Sequence, residues 1–213
     1  MPRKRYAIKE MFYTLQGEGF HAGRAAVFCR FSGCNLWSGL EKSREKAACR
    51  FCDTDFVGID GTYGGRYEAQ AVVDTIVSVW QGTGNPMVVF TGGEPLLQLD
   101  EALIEACKQR GIYVAVETNG TKPVPKGIDW VCVSPKPRST IVVTKASELK
   151  LVYPQPEVEM HPSNFEHFEA DYRYLQPLYN EDVLAHRSAV VQFCLQNPEW
   201  RLSIQMQKIL TVR

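Results

Sequence analysis

The sequence predicts an α/β fold: a partial, incomplete TIM-like barrel in one domain over residues 1–213. Three observations lead there. Short apolar runs rich in Val, Ile and Phe alternate with helical patterns, the rhythm of strand–helix–strand units around a covered parallel sheet. Three convincing main helices serve about six or seven strands, whereas a closed eightfold barrel takes about 250 residues and eight helices. No internal repeat or low-complexity linker divides the 213 residues.

Residues 6–13 read as a short strand that runs into a tight loop at Gln16, Gly17, Glu18 and Gly19, where glycines expose the backbone. Residues 25–31 form a buried strand ending at Ser32 and Gly33, just before Cys34. Residues 41–48 are charged and helix-prone, which suits a short solvated helix. Residues 58–65, rich in Gly and Asp, are loop. Ala71, Val72, Ile76, Val79 and Trp80 recur at the helical period, giving a helix over 67–80. A strand over 87–91 ends in Gly92-Gly93-Glu94-Pro95. A helix over 99–110 puts Leu99, Leu103, Ala106 and Cys107 on one side and stops at Gly111. Strands follow at 112–118, 130–134, 148–153 and 172–176, then a helix at 182–196 and a last strand at 201–205.

Composition narrows the function classes. The chain is 45% hydrophobic and 23% charged, a globular balance. Lys plus Arg equals Asp plus Glu at 24 each, so no charge excess points to nucleic acid. No run of 18 apolar residues suggests a membrane span, and Arg3, Lys4 and Arg5 precede no apolar stretch of the signal-peptide kind. Seven cysteines, unevenly spaced, suit a reducing cytoplasm better than a disulfide scaffold. Cys29, Cys107, Cys132 and Cys194 fall within strand or helix patterns and read as core. His161, His167 and His186 read as surface or loop; His21 is the histidine nearest the remaining cysteines in sequence.

Those cysteines carry the chemistry. Cys34 is followed by fourteen residues and then by Cys49-Arg50-Phe51-Cys52. A closed zinc site takes four ligands, and four thiolates around a four-iron cluster leave no iron free. Three thiolates leave a position open for something else. Polar residues also gather where strands end: Cys34, Gly92 to Glu94, Glu117 to Asn119, Ser134 and Lys136, Gln176, Gln205. Loops beyond the carboxyl ends of parallel strands form the site in such folds. Gly92-Gly93-Glu94 reads either as a turn that starts a helix or as glycines whose carbonyls meet an amino group, with Glu94 as anionic partner. Lys136, between two prolines, is either loop surface or a cation displayed to a carboxylate.

With these residues in place, the chain resembles the radical S-adenosylmethionine superfamily and, within it, the 7-carboxy-7-deazaguanine synthases of queuosine and deazapurine biosynthesis. The resemblance rests on residues 12–19, 31–37, 49–56, 91–95, 117–120 and 133–136 and covers essentially the whole chain. Most of the superfamily spaces its cysteines as CxxxCxxC; an enlarged cluster loop, here 35–48, occurs in some of these synthases. Gln207 stands where histidine is expected.

The resemblance implies a [4Fe-4S] cluster on Cys34, Cys49 and Cys52, and S-adenosylmethionine against Phe51, Gly92, Gly93, Glu94, Ser134 and Lys136. It implies Mg²⁺ on Thr54. It also implies 6-carboxy-5,6,7,8-tetrahydropterin as substrate, bound by Leu15, Gln16, Gly17, Glu18, Arg30, Thr91, Asn119, Gln176, Gln207 and Arg213. Arg30 would take the pterin carboxylate and Gln16 and Glu18 the ring nitrogens. The implied reaction is a lyase ring contraction with loss of ammonia, in which the cofactor-held radical, not a protein side chain, is the reacting centre. A flavodoxin-like or other electron donor, a homodimer and a cytoplasmic location complete the expectation. A glycyl-radical activase and a zinc or redox module built on Cys49 and Cys52 are the rival readings.

Overall fold

The computed structural model describes residues 4–210, so Arg213 lies outside the described residues. Nine strands form one sheet in the order β3-β1-β2-β4-β5-β6-β7-β8-β9. They are β1 (Tyr6–Leu15), β2 (Ala25–Phe31), β3 (Gly65–Tyr67), β4 (Met87–Gly92), β5 (Tyr113–Thr118), β6 (Trp130–Val133), β7 (Lys145–Tyr153), β8 (Glu169–Pro177) and β9 (Trp200–Leu202). From β2 through β4 to β9 every neighbour pair is parallel. β1 joins β2 and β3 antiparallel at one edge. The long helices are α1 (Ala69–Val79), α2 (Glu101–Gln109) and α3 (Val183–Gln196), with a short α4 (Gln207–Leu210) after β9.

The three long helices and the open parallel architecture are as the sequence predicts. The strand count is higher, because β3 has only three residues and falls where the loop expected over 58–65 meets the helix expected over 67–80; a three-residue edge strand shows no period of its own. β9 is the tail of the prediction shifted to Trp200–Leu202. The charged stretch before Cys49 is a 3-10 helix, Glu41–Lys46. Asp100 caps α2 by accepting from the Leu103 N–H at 3.2 Å, and Gly111, at φ +68°, ends it. Asp100 also accepts from the Tyr6 hydroxyl at 2.7 Å, tying β1 to the helix layer.

Alternation along the strands decides what faces where. Val27, Cys29 and Phe31, Val88 and Phe90, and Val114 and Val116 pack with Val72, Val73, Ile76, Leu103 and Ile104 of α1 and α2. Leu149, Leu151 and Leu175 pack with Val190 of α3 and Trp200. The intervening residues turn to the concave face, where Ala26, Met87, Val89 and Ala115 form a small apolar layer with Phe28, Tyr113 and Trp130. Further along the same face, toward the carboxyl ends, the residues become polar: Arg30, Thr91, Glu117, Lys150 and Gln176.

Candidate active site

Those polar positions line a cavity of about 420 Å³ at the carboxyl ends of the parallel strands, a size typical of small-molecule clefts. All the site residues expected from the sequence line it except Glu94 and Arg213. Arg213 lies outside the described residues, and Glu94 is buried behind the loop wall.

One wall is made of loops. Gly33, at φ +92°, turns the chain after β2 and presents Cys34. The glycine pair after β4 packs directly on this turn. A Cβ on Gly93 would lie 2.1 Å from the Gly33 carbonyl oxygen, and one on Gly92, at φ +137°, would lie 2.3 Å from that of Phe31. The Glu94 N–H donates to the Gly33 carbonyl at 3.0 Å. Only residues without a Cβ let the two loops meet this closely. Glu94 itself is fully buried. Its carboxylate accepts from the Leu96 N–H at 2.9 Å, the Thr118 hydroxyl at 2.8 Å and the Asn119 N–H at 2.7 Å. It pins the ends of β4 and β5 together rather than facing the cavity. Lys136 donates to the carbonyl and hydroxyl of Ser134, both at 2.7 Å, which folds that cation onto the cavity rim.

Cys34, Cys49 and Cys52 all face this cavity. Burial pushes the Cys34 thiol up, with the Leu36 and Trp37 N–H groups pulling the other way. The hydrogen bond between Cys49 and Cys52 holds the proton on Cys49 and lowers Cys52 to about 6, helped by the Thr54 N–H. Among the described residues no three His, Cys, Asp or Glu side chains converge on one ion. A cubane cluster asks for something else, since each thiolate binds a different iron. Three soft thiols around one cavity, without a fourth, fit that group. Asp53 and Asp55, which flank Thr54, are tied to lysines: Lys208 to Asp53 at 2.5 Å and Lys9 to Asp55 at 2.9 Å.

The opposite wall is made of strands and the loop after β1. Lys150, 5% exposed, meets Glu18 at 2.5 Å and Glu117 at 3.7 Å. Burial alone would raise the Glu18 carboxyl. The charge and hydrogen bond of Lys150, with hydrogen bonds from Gln205 and Gln207, outweigh it and bring Glu18 down to about 2. The same carboxylates hold Lys150 well above its ordinary value against the opposing effect of burial. Gln16 donates to Glu117 at 3.0 Å and accepts the Glu18 N–H at 3.1 Å, and Thr91 donates to Glu117 at 3.2 Å. Gln205 and Gln207 donate to Glu18 at 2.9 and 3.0 Å. The Gln207 Oε1 is buried with no partner. It lies where a Cβ on Gly17 would be, at 1.9 Å. Arg30 is held through Nε by Glu10 at 3.0 Å. Fixed amide, carboxylate and guanidinium groups thus surround a space sized for a flat polar ring, beside three thiols.

The comparisons with known proteins agree with this geometry. Residues 46–131 match the family model described as the radical SAM superfamily. The 7-carboxy-7-deazaguanine synthase of Bordetella pertussis is 54% identical over 209 residues, covering 97% of this chain and 99% of that one. The chain belongs to the 7-carboxy-7-deazaguanine synthase family. The synthase of Bradyrhizobium diazoefficiens is also 54% identical, over 98% of this chain and 99% of its own. The crystal structure of QueE from Escherichia coli matches with a TM-score of 0.70 at 27% identity, over 95% of this chain and 94% of that one. Membership of the radical SAM superfamily brings a [4Fe-4S] cluster and S-adenosylmethionine. The matched superfamily stretch begins at residue 46 and so contains Cys49 and Cys52 but not Cys34. The match thus begins within the fourteen residues between Cys34 and Cys49. Among the described residues no helix is long and apolar enough to cross a membrane.

Within this synthase architecture several residues of both walls had no role assigned from the sequence. Glu117 and Asp53 lie in the strings at 117–120 and 49–56 without a role of their own, Gln205 was visible only as a polar strand end, and Lys150, Glu10 and Lys208 carried no motif. A signal for Lys150 exists in Glu148-Leu149-Lys150-Leu151, where charges alternate with leucines inside a strand. His21 is not part of the site. It meets Trp130 edge-on with ring centroids 4.6 Å apart, and burial, with Arg24 nearby, lowers it to about 4. Cys29, Cys107 and Cys132 are buried as expected, whereas Cys194 is only partly buried.

Proposed function

We propose that the protein catalyses the radical ring contraction of 6-carboxy-5,6,7,8-tetrahydropterin to 7-carboxy-7-deazaguanine, with loss of ammonia, in queuosine or related deazapurine biosynthesis. The observation that carries the reading is the single cavity with three cysteines on one wall and the Glu18–Lys150 network on the other. When bound, the cluster and S-adenosylmethionine supply a 5′-deoxyadenosyl radical that removes and later returns a hydrogen at the pterin.

The chain's own part is placement. Cys34, Cys49 and Cys52 would hold the cluster and leave it an open position for S-adenosylmethionine. Gly92 and Gly93 offer backbone to that amino group, Ser134 and Lys136 take the carboxylate or ribose, and Phe51 covers the adenine. Glu94 acts by holding the glycine turn rather than by direct contact. Arg30, gripped along one edge by Glu10, presents its other edge to the pterin carboxylate as a bidentate partner. Gln16, Glu18, Gln176 and Gln207 meet ring donors and acceptors. Leu15, Gly17, Thr91 and Asn119 complete the wall.

Thr54 is assigned to Mg²⁺. This threonine lines the cavity between two lysine-paired aspartates, and one protein ligand leaves the rest of the octahedron to water and substrate. The electron comes from a flavodoxin-like or other reduced donor, and the family resemblance supports a cytoplasmic homodimer. Anaerobic turnover with the carboxytetrahydropterin, S-adenosylmethionine and reductant, with and without Mg²⁺, tests the reading. The deazapurine should form and its rate should rise with Mg²⁺. Cleavage of S-adenosylmethionine without any deazapurine would overturn the substrate assignment.

A further inference from the structure

The enlarged loop at 35–48 has a physical purpose in this structure, and one side chain carries it. Arg44 sits in the 3-10 helix Glu41–Lys46 and reaches back beneath the second and third cysteines. Its Nη1 donates to the carbonyl of Arg50 at 2.8 Å and to that of Cys52 at 3.0 Å. Its Nε donates to both carboxylate oxygens of Glu41, at 3.0 and 2.7 Å. Its guanidinium carbon lies 4.1 Å from the centre of the Trp37 ring. Trp37 is itself buried, packed with Ala47 and Phe56 against Cys34 and Cys52. The loop is anchored on both sides of this helix. Asn35 donates to the Thr121 hydroxyl at 2.8 Å, the Ala48 N–H to the Leu36 carbonyl at 3.1 Å, and Arg138 to the Ala47 carbonyl at 2.9 Å.

We propose that Arg44 is a positioning residue for the cluster: it fixes the Cys49–Cys52 turn from behind and places a permanent positive charge next to it. The inference rests on the cluster assignment above. Two physical effects follow from the same contacts. In a planar trans peptide the N–H points opposite to the C=O. Drawing the carbonyls of Arg50 and Cys52 toward Arg44 therefore turns the N–H groups of Phe51 and Asp53 away from it. Phe51 and Asp53 both line the cavity, and the next backbone N–H along the turn, that of Thr54, bonds the Cys52 sulfur. Hydrogen bonds near the sulfurs and local charge are the levers that tune an iron–sulfur potential, and a guanidinium keeps its charge at any working pH. A compact motif holds its ligands by chain connectivity. With fourteen residues between Cys34 and Cys49, connectivity no longer does this, and the inserted segment supplies the restraint through Arg44.

The test uses full-length protein reconstituted anaerobically, with two readouts that do not depend on turnover: iron retained against a competing chelator, and the cluster midpoint potential from a redox titration followed by electron paramagnetic resonance. Removing an outer-sphere partner of this kind costs on the order of tenfold in metal affinity. Arg44→Ala should hold iron about tenfold more weakly and have a more negative potential. Arg44→Lys, which keeps the charge but loses the two-pronged clamp, should restore the potential more fully than the iron retention. Arg44→Gln should keep the more negative potential of the alanine variant. Lys42→Ala, a neighbouring cation without these contacts, should match the native protein in both. Circular dichroism separates a cluster defect from misfolding, and if Arg44→Ala does not fold, the lysine and glutamine variants carry the decision. Native protein that takes up iron while Arg44→Ala and Arg44→Gln match it in both readouts overturns the role of Arg44. Native protein that takes up no cluster overturns the cluster assignment itself.

Discussion

The two walls of the cavity are built on different physics. The cysteine wall is loop, held by backbone hydrogen bonds, glycine contacts and partly exposed ion pairs such as Lys208–Asp53, whose carboxylate is 58% exposed. The pterin-side wall is strand, and its charges are buried: Lys150 and Glu18 show side-chain exposures of only 6% and 15%. A loop wall can rearrange around an incoming group at little cost, because its local contacts are remade in water. A buried charge network cannot, because each member left alone loses both its partner and its solvent. The first wall is suited to loading a cofactor and the second to recognising a rigid ring.

Substitutions that act on one wall at a time break or sharpen this contrast. The largest effect is expected on the cysteine wall. Cys34→Ala should lose cluster iron and turnover together while the fold persists, measured by iron content, product formation and circular dichroism. Turnover surviving at full iron content would show that Cys34 is not a ligand.

On the strand wall, Lys150→Met should cost stability as well as activity. It strands Glu18 as an uncompensated buried charge, which costs about 3–5 kcal/mol, read from denaturant unfolding. Adding Glu18→Gln should recover most of that stability but not turnover. The pH dependence follows from the same pair. Glu18 is lowered from 4.5 to about 2, so between those values the unfolded chain binds more protons than the folded one. The Glu18 contribution is present above pH 4.5 and is lost as the pH falls toward about 2. Lys150, raised above 10.5, contributes fully below that pH and loses its contribution only as the pH rises through its folded value. The acid limb of an unfolding titration should therefore shrink in Glu18→Gln.

Thr54→Ala should raise the Mg²⁺ concentration needed for half-maximal turnover and leave cluster iron unchanged; an unaltered Mg²⁺ dependence would remove Thr54 as a ligand. The smallest effect is expected at Lys208. An exposed ion pair contributes about 0–1 kcal/mol, so Lys208→Ala should barely move the unfolding midpoint. A loss of several kcal/mol there would mean that the loop wall is as rigid as the strand wall.

The two walls also differ in how far they could be read in advance. Cys34, Cys49, Cys52, Thr54, Gly92 and Gly93 lie in short local strings whose residue types announce their chemistry. Gln16, Glu18 and Arg30, like the role of Thr54, were reached only through the family resemblance. Lys150 was not reached at all, although it is the cation at the centre of the strand wall. The alternation of charge and leucine over residues 148–151 marks it as unusual but does not name its partners, Glu18 and Glu117, which lie 132 and 33 positions away in the chain. The acidic residue of Gly92-Gly93-Glu94 shows the converse. Its motif is plain, yet its carboxylate is consumed by N–H and hydroxyl donors from β5 and the turn that follows Glu94, so it faces inward.

Alternation and periodicity along the chain determined the sheet, the three long helices and the side on which the strand-end residues gather, because those follow from local backbone geometry and from which faces must leave water. The spacing of three cysteines determined that an open site exists. Only the tertiary structure decided which charges satisfy one another across the cavity, that Glu94 turns away from it, and that Arg44 restrains the cysteine turn. These depend on distances between segments far apart in sequence, where the cost of burying an unpaired charge or carbonyl selects the partner. No local pattern records that choice.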